Sequence, residues 1–503
     1  MKSENILAIP FILFLLWFSE ISGQEMLGVV NSNFSGVNAA MMNPANTGTS
    51  EQIININLLA GDLFLSSNYI YIHKNDYGLL KIFRVNISVP QYLYKYEYPG
   101  NYTDSVYYFD YYKNSKSRNF YQNTRLAGPS ILYHKGNDAY SLVTGLRSVS
   151  SVERLPDDLA NFIYRGMQFR PQHSETYTDG WSRFASLTWF EAGLGYTRTI
   201  FERFDDALYA GITAKLLLGL AGAYGLVDNV TYMIPSADTI IIYNLNSRIG
   251  FSLPLNTATN AAELDPLIKG KGFSFDAGIT YVRMKDRKRN YRESSGLTRG
   301  ISNEYLYKAG ISLLDVGFIS FNQFAQVHEF NNVNNRIWPG LLSFNPSSLQ
   351  DVIRSASYNL LGDSLASQTD ETKIKIWLPS AFSFQFDYNA GNNIFVNATM
   401  INGVRFAQPS VRRSSLIAVT PRYEAKYFEV NLPVSLFDYR DLQLGLALRI
   451  FNLVIGTEKL GTFLHLTDVN GMDVYFALGF DLNPKSKVKA CESYQDYKRY
   501  QTK

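Results

Sequence analysis

Apolar and polar residues alternate with a period of two through most of this chain. In Leu442–Ile450, the residues at 442, 444, 446, 448 and 450 are all Leu or Ile, against Gln443, Gly445, Ala447 and Arg449. Val474–Leu482 sets Val474, Phe476, Leu478, Phe480 and Leu482 against Tyr475, Ala477, Gly479 and Asp481. Gly272–Tyr281 opposes Phe273, Phe275, Ala277, Ile279 and Tyr281 to Ser274, Asp276, Gly278 and Thr280. The pattern returns in 208–218, 382–388, 394–400 and 428–436. Successive side chains of a strand point to opposite faces, so each segment reads as a strand with one apolar face.

An apolar strand face meets either a protein core or lipid, and strand length separates the two. Strands of soluble sheets run to about five or six residues. A tilted strand needs about 9–11 to cross a bilayer, and these segments are of the longer kind. Their other faces carry Gly, Ala, Ser and single charges such as Glu191, Lys215, Asp276, Arg449 and Asp481. A wet or plugged lumen accepts such residues; a dry core does not. Trp189, Trp377 and Tyr388 lie near strand ends, where an aromatic girdle belongs. The pattern predicts an all-β, transmembrane, antiparallel up-and-down β-barrel of about 14 strands, with about 12 to 16 allowed. It would occupy 51–483, with 51–72 and 453–467 readable as strand or loop.

Connections sharpen the prediction. Tight turns at Lys135–Asp138, around Arg203–Asp206 and at Ala390–Asn393 alternate with long irregular stretches at 88–125, 150–183, 219–271 and 325–374. Outer-membrane barrels keep short turns in the periplasm and long loops outside. An even strand count then leaves both ends of the barrel on the periplasmic side. The apolar run 6–18 is too short to span as a helix. Preceded by Lys2 and followed by Ser22-Gly23, it reads as part of a signal peptide over 1–23. Residues 484–503 form a polar, basic tail, expected to be a disordered end or a periplasmic contact.

The stretch FSGVNAAMMNPANTG, Phe34–Gly48, stands apart from this pattern. Asn33 or Ser35 can cap a helix over 36–42, with Val37, Ala40 and Met41 on one face, and Pro44 stops it. So short a helix cannot stand alone in water and must pack against the barrel. Segment 24–50 is therefore expected to cover the periplasmic mouth or to enter the lumen as a plug. Val37, Met41, Met42 and Asn43 are the candidate wall contacts.

GVVNSNFSGVNAAMMNPAN followed by EQIININLL resembles the start of a family of outer-membrane barrels of uncharacterised function from Bacteroidota-type bacteria. Those barrels are distantly similar to the FadL long-chain fatty-acid transporters and to PorV of type IX secretion. In these families a small-residue segment ending in Asn-Pro-Ala, here Asn43, Pro44 and Ala45, leads into the first strand. The resemblance implies a hatch inside a barrel of about 14 strands.

Composition narrows function by exclusion. A net charge of +3 gives no reason to expect nucleic acid as a partner. Cys491 is the sole cysteine, so no internal disulfide framework exists. His328-Glu329-Phe330-Asn331-Asn332 starts like a zinc-protease motif, but Asn332 stands where the second ligand belongs. The histidines, His73, His134, His173, His328 and His465, show no ligand spacing. Asp468–Asp473 resembles part of a calcium loop without its terminal Glu, and Asn470-Gly471 reads as a hairpin turn. No nucleophile elbow or phosphate loop is present. The expectation is no enzyme, no metal and no cofactor.

Two functions fit. One is a passive channel in a Gram-negative outer membrane, surrounded by lipid and admitting a hydrophobic or amphipathic small molecule. The other is a non-transporting scaffold or surface-attachment partner in protein export, using the tyrosines between Tyr92 and Tyr121 as a contact surface.

Overall fold

The computed structural model describes residues 25–50, 52–74, 91–94, 106–112, 117–167, 170–203, 205–285 and 305–482. The expected signal peptide and the tail bearing Cys491 lie outside these residues.

The chain closes into an antiparallel barrel of 14 strands. In order they are β1 Ile54–Ser67, β2 Arg118–Ala127 continued by Ser130–Lys135, β3 Asp138–Leu155, β4 Ser182–Arg203 and β5 Asp206–Ser236. Next come β6 Thr239–Ser252 continued by Gly270–Met284, and β7 Tyr305–Phe321 continued by Gln326–Trp338. β8 joins Ile374–Trp377 to Ala381–Gly391, followed by β9 Ile394–Gly403 and β10 Leu416–Glu424. β11 joins Phe428–Asn431 to Val434–Phe437, and β12 joins Asp441–Leu444 to Leu446–Ile450. β13 Leu453–Thr457 and β14 Gly471–Leu482 complete the wall. The breaks in β2, β8 and β11 coincide with Pro129, Pro379 and Pro433, which cannot donate to a ladder.

β1 and β14 seal the barrel, with Ile54 opposite Leu482 and Ser66 opposite Gly471. Ile54 also faces Tyr133, beside the Lys135–Asp138 turn. Both barrel ends therefore lie on the turn side, as an even strand count requires. The apolar faces point outward: Leu216 is 70% exposed and Leu442 75% exposed, while Lys215 and Gln443 between their neighbours point in. No helix among the described residues is long and apolar enough to cross a membrane.

The long connections differ from the pattern-based expectation. Most of 219–271 is not loop: it is the outer half of β5, a short turn, and the outer half of β6. β5 has 31 residues, several times the length a membrane strand needs. Beyond the bilayer a strand has no lipid face, so the alternation that reveals it fades. Likewise, 325–374 contains the outer half of β7 and a helix Leu349–Leu361, and 150–183 contains a helix Asp157–Arg165. These helices pack on the raised sheet through Phe162, Tyr232, Ile242, Phe330 and Leu360. The result is a structured outer layer rather than loose loops.

β12 shows how the plug changes the inward face. Ala447 points in, as the alternation predicts, but it is fully buried against Met26 and Tyr475. A Cβ on Gly28 would lie 2.3 Å from its methyl group. A charge at Ala447, which the pattern alone would allow, therefore has no room. Leu446→Arg on the outer face is expected to cost about 2–4 kcal/mol near the bilayer midplane, read from refolding titrations into lipid vesicles. Ala447→Arg is expected to destabilise the full chain too, but to become nearly silent once residues 25–46 are removed. A silent Ala447→Arg in the full chain contradicts this packing.

Candidate functional site

Residues 25–50 run inside the lumen as three short turns: Leu27–Val30, Gly36–Met41 and Pro44–Thr49. The predicted single helix over 36–42 is instead a 3-10 segment, and neither Asn33 nor Ser35 caps it. Gly36 has φ +53, and a Cβ there would collide with Asn55, so the chain enters this turn through a conformation open to glycine. Pro44 ends one turn and begins the next. It occupies the first helical position, where its missing N–H costs nothing, and Asn43 Oδ1 caps the turn by accepting from Ala45 N at 2.9 Å.

Asn43, Pro44 and Ala45 fit a groove made of glycine. Gly211 on β5 stands directly opposite Gly278 on β6 in the strand register. A Cβ on Gly211 would lie 2.6 Å from Ala45 N, and one on Gly278 would lie 2.2 Å from Asn43 Oδ1. Asn43 Nδ2 donates to Thr280 Oγ1 at 3.2 Å and to Gln385 Oε1 at 3.1 Å. The Pro44 carbonyl accepts from Thr197 Oγ1 at 2.8 Å, and the Met42 carbonyl accepts from Ser312 Oγ at 2.6 Å. Small residues let the two backbones approach; polar ones then satisfy the groups the turn leaves open. Val37 packs on Leu132 and Ala139, Met42 on Ile401 and Leu416, and Ala45 on Tyr209 and Phe395. Met41 is half-buried between two clusters.

The rest of the segment is tied to the opposite wall. Leu27 N donates to Glu458 Oε1 at 3.0 Å, and Ser32 Oγ donates to Glu429 Oε2 at 2.8 Å. Asn33 Nδ2 donates to Glu424 Oε2 at 2.7 Å and accepts at Oδ1 from Lys308 Nζ at 2.6 Å. Arg449 bonds Glu429 at 2.9 Å and covers the Phe34 ring at 3.7 Å. Asp481 sits at the mouth, accepting from Asn55 Nδ2 at 2.7 Å. Two gaps between plug and wall measure about 40 and 30 Å³. On this measure about 10–15 Å³ holds one water molecule, so each gap has room for a few.

Above the plug lies a layer of charge. Asp315 Oδ2 takes Arg147 at 2.9 Å and Arg413 at 3.1 Å, while its Oδ1 takes Lys215 at 2.8 Å. Lys215 also bonds Asp276 at 2.6 Å, and Arg147 lies 3.6 Å from Glu191. Arg413 reaches down to Glu25 at 2.6 Å, at the start of the plug. Glu191, Lys215 and Asp276 thus belong to one network, whereas Arg449 and Asp481 sit apart from it among the plug contacts. Their signature in the sequence is single charges on alternating faces. The partners Arg147, Asp315, Arg413 and Glu25 are not legible there. Asp315 occupies a bulge opposite Asp276, with φ +53, which shifts its parity. Arg413 comes from 404–415, a connection that dips into the barrel.

A third layer is apolar and was not expected. Phe64, Tyr121, Val149, Trp189, Leu217, Ile319, Phe321 and Phe437 all point inward and pack together. Trp189 is 0% exposed, so it belongs to this cluster and not to a girdle. Parity with Glu191, two residues on, already places both on one face. Tyr388, by contrast, is exposed on the outside. Along β5 the three layers read in order as Gly211, Lys215 and Leu217; along β4 they read upward as Thr197, Glu191 and Trp189.

His328 stacks on Phe251 and bonds Ser367, so the incomplete zinc-like motif is a packing site. Among the described residues no group of three or more His, Cys, Asp or Glu is arranged to hold a metal ion.

The profile of a family of unknown function, DUF5723, matches residues 44–458. Comparison with the curated proteins finds no match. Among solved structures, a TodX deltaS2S3 mutant monoaromatic hydrocarbon channel is 8% identical over 92% of this chain and 96% of its own, with a TM-score of 0.39. The translocator domain of the autotransporter NalP from Neisseria meningitidis is 8% identical over 89% and 96%, at 0.30. A Pseudomonas aeruginosa FadL homologue is 7% identical over 92% and 98%, at 0.23.

The glycine groove generates a direct test. Gly278→Val places a side chain where Asn43 sits, and overpacking of this kind costs about 1–3 kcal/mol. The variant is expected to expose residues 34–48 to protease in detergent. Ala277→Val, one residue along on the outer face, is expected to leave them protected. Equal protection in both variants contradicts the seat.

Proposed function

The chain belongs to the DUF5723 family, whose function is unknown, and we propose that it is a Gram-negative outer-membrane barrel acting as a passive channel for a hydrophobic or amphipathic small molecule, closed by residues 25–50. The observation that carries this reading is the character of the plug interface. It combines side-chain hydrogen bonds and ion pairs with apolar contacts divided among four separate clusters. Each such bond is worth only about 0.5–1.5 kcal/mol net, because water can replace it. With its apolar contacts divided in this way, the segment has no continuous core to break at once and can leave its seat in parts. The layering supports the substrate class: an apolar storey over a charged one presents in turn what the two ends of an amphiphile need.

A second reading, a scaffold or surface-attachment partner in protein export, draws on the outer layer. β5, β6 and β7 rise beyond the wall with two helices packed on them, a fixed platform facing outward. The PorV resemblance favours it. The tyrosine-rich segment is only partly within the described residues. Of its members, Tyr112 stacks on Tyr71 at 4.4 Å, and Tyr121 points into the lumen.

Deleting residues 25–46 separates the readings, since it takes away the plug and the Glu25 carboxylate beneath Arg413. A channel is expected to show ionic steps in planar bilayers that the full chain lacks. A trace unchanged by the deletion contradicts closure by this segment and leaves the scaffold reading in place.

A further inference from the structure

β13 ends at Thr457, but the strands on both sides of it continue outward. Among the described residues, Asp441–Leu444 of β12 pairs only with Val434–Phe437, and the outermost part of β14 pairs only with β1. The wall therefore lacks the top of one strand. Residues 458–470, with the short helix Leu460–Phe463, fill the space incompletely and leave a cavity of about 740 Å³.

Its lining joins two chemistries. Val434 and Leu444, 42% and 45% exposed, belong to the lipid-facing row of β11 and β12, and Leu466 of the 458–470 connection, 60% exposed, joins them in the lining. Lys74, Arg440 and Lys459 also line it, together with the carboxylates Asp441 and Asp468. Asp468 Oδ1 is engaged by the Lys74 backbone N–H at 3.1 Å. Lys74 Nζ donates to the Leu466 carbonyl at 3.4 Å, and Lys459 Nζ donates to Asn470 Oδ1 at 3.1 Å. Arg440 is exposed. Burial pulls the Lys459 amine down to about 8, even with Asp441 and Asp473 nearby, so its charge is under-compensated.

Gln443 decides what the cavity is for. It points in from the unpaired edge and is only 7% exposed, yet neither its Oε1 nor its Nε2 has a partner. Buried amides in folded proteins are almost always bonded, and this one, facing the cavity, is free to pair with a ligand on both its oxygen and its nitrogen. A cavity lined by three cations against two carboxylates, with a free amide and a greasy outer flank, matches an anionic head on an acyl chain.

We propose that this cavity seats one anionic lipid of the outer leaflet, with its chain along Val434, Leu444 and Leu466 and its head at Arg440, Lys459 and Gln443. The site lies in the wall, apart from the plug, and holds whether or not the lumen conducts. Its occupant replaces the missing strand top and closes the wall to lipid at that level.

Native mass spectrometry of the full-length protein in non-ionic detergent tests it, with phosphatidylglycerol, phosphatidylcholine and glycerol phosphate as probes. One phosphatidylglycerol is expected to bind, with phosphatidylcholine and glycerol phosphate each weaker by about tenfold or more. Arg440→Ser and Gln443→Leu are each expected to weaken phosphatidylglycerol by about tenfold. Neither variant threatens the fold: Arg440 is exposed, and Gln443→Leu exchanges an unpaired amide for an apolar chain of similar size. Unchanged heat-modifiable migration on a gel checks this. Equal binding of phosphatidylcholine would mean a merely apolar groove, and equal binding of glycerol phosphate would mean a free-anion site. Either result, or wild-type affinity in both variants, overturns the proposal.

Discussion

One carboxylate, Asp315, stands between Arg147, Lys215 and Arg413 at the middle of the lumen, and the layers above and below depend on how that charge is shared. Three cations converging in a buried space repel one another unless an anion holds them. Taking away one partner of a buried pair costs about 3–5 kcal/mol, because the other is left uncompensated. Here the loss would fall on three partners at once. Arg413 passes the constraint downward to Glu25 at the start of the plug. Arg147 passes it upward, lying 5.0 Å over the Trp189 ring in the apolar storey. The charged layer is therefore the joint through which the floor and the ceiling of the lumen meet.

The same constraint explains where the glycines are. A plug that must present its carbonyls and amides to the wall has to come within backbone distance of it. Gly211 and Gly278 allow that, and Thr197, Thr280, Ser312 and Gln385 supply the bonds. On the other side the wall keeps long charged residues, Arg422, Glu424, Glu429 and Arg449, paired among themselves and reaching inward to the plug. One half of the lumen fits the plug by absence of side chains and the other by their length. Seat and anchors together fix the segment without a single continuous apolar core.

How much of this was legible in the sequence follows from what sets each feature. Strand faces were, because lipid imposes a strict alternation, and Leu442–Ile450 and Gly272–Tyr281 obey it. The presence of a plug was too, because Asn43-Pro44-Ala45 sits in a stretch that can be neither strand nor free helix. The outer halves of β5, β6 and β7 were not, since no lipid face disciplines them. Trp189 was misplaced by its residue type, though its spacing from Glu191 gave its direction. Asp315 escaped because a bulge shifts its parity, and Arg413 because a connection that dips inward has no periodic signature. Pairing of charges is a property of three dimensions; a single charge on an alternating face shows only that something must meet it.

In the proposed channel, residues 25–50 close the lumen and leave it when the protein works. A reversible bond between plug and wall tests this most directly. Val37 on the plug and Leu132 on the wall are buried in one cluster, so Val37→Cys with Leu132→Cys, in a chain carrying Cys491→Ser, puts one thiol on each side of that packing. This pair is expected to form a disulfide under mild oxidation. Entry of a hydrophobic probe into vesicles carrying the protein is expected to stop on oxidation and return on reduction. Entry that continues unchanged with the disulfide formed would show that the plug need not move, contradicting closure by this segment.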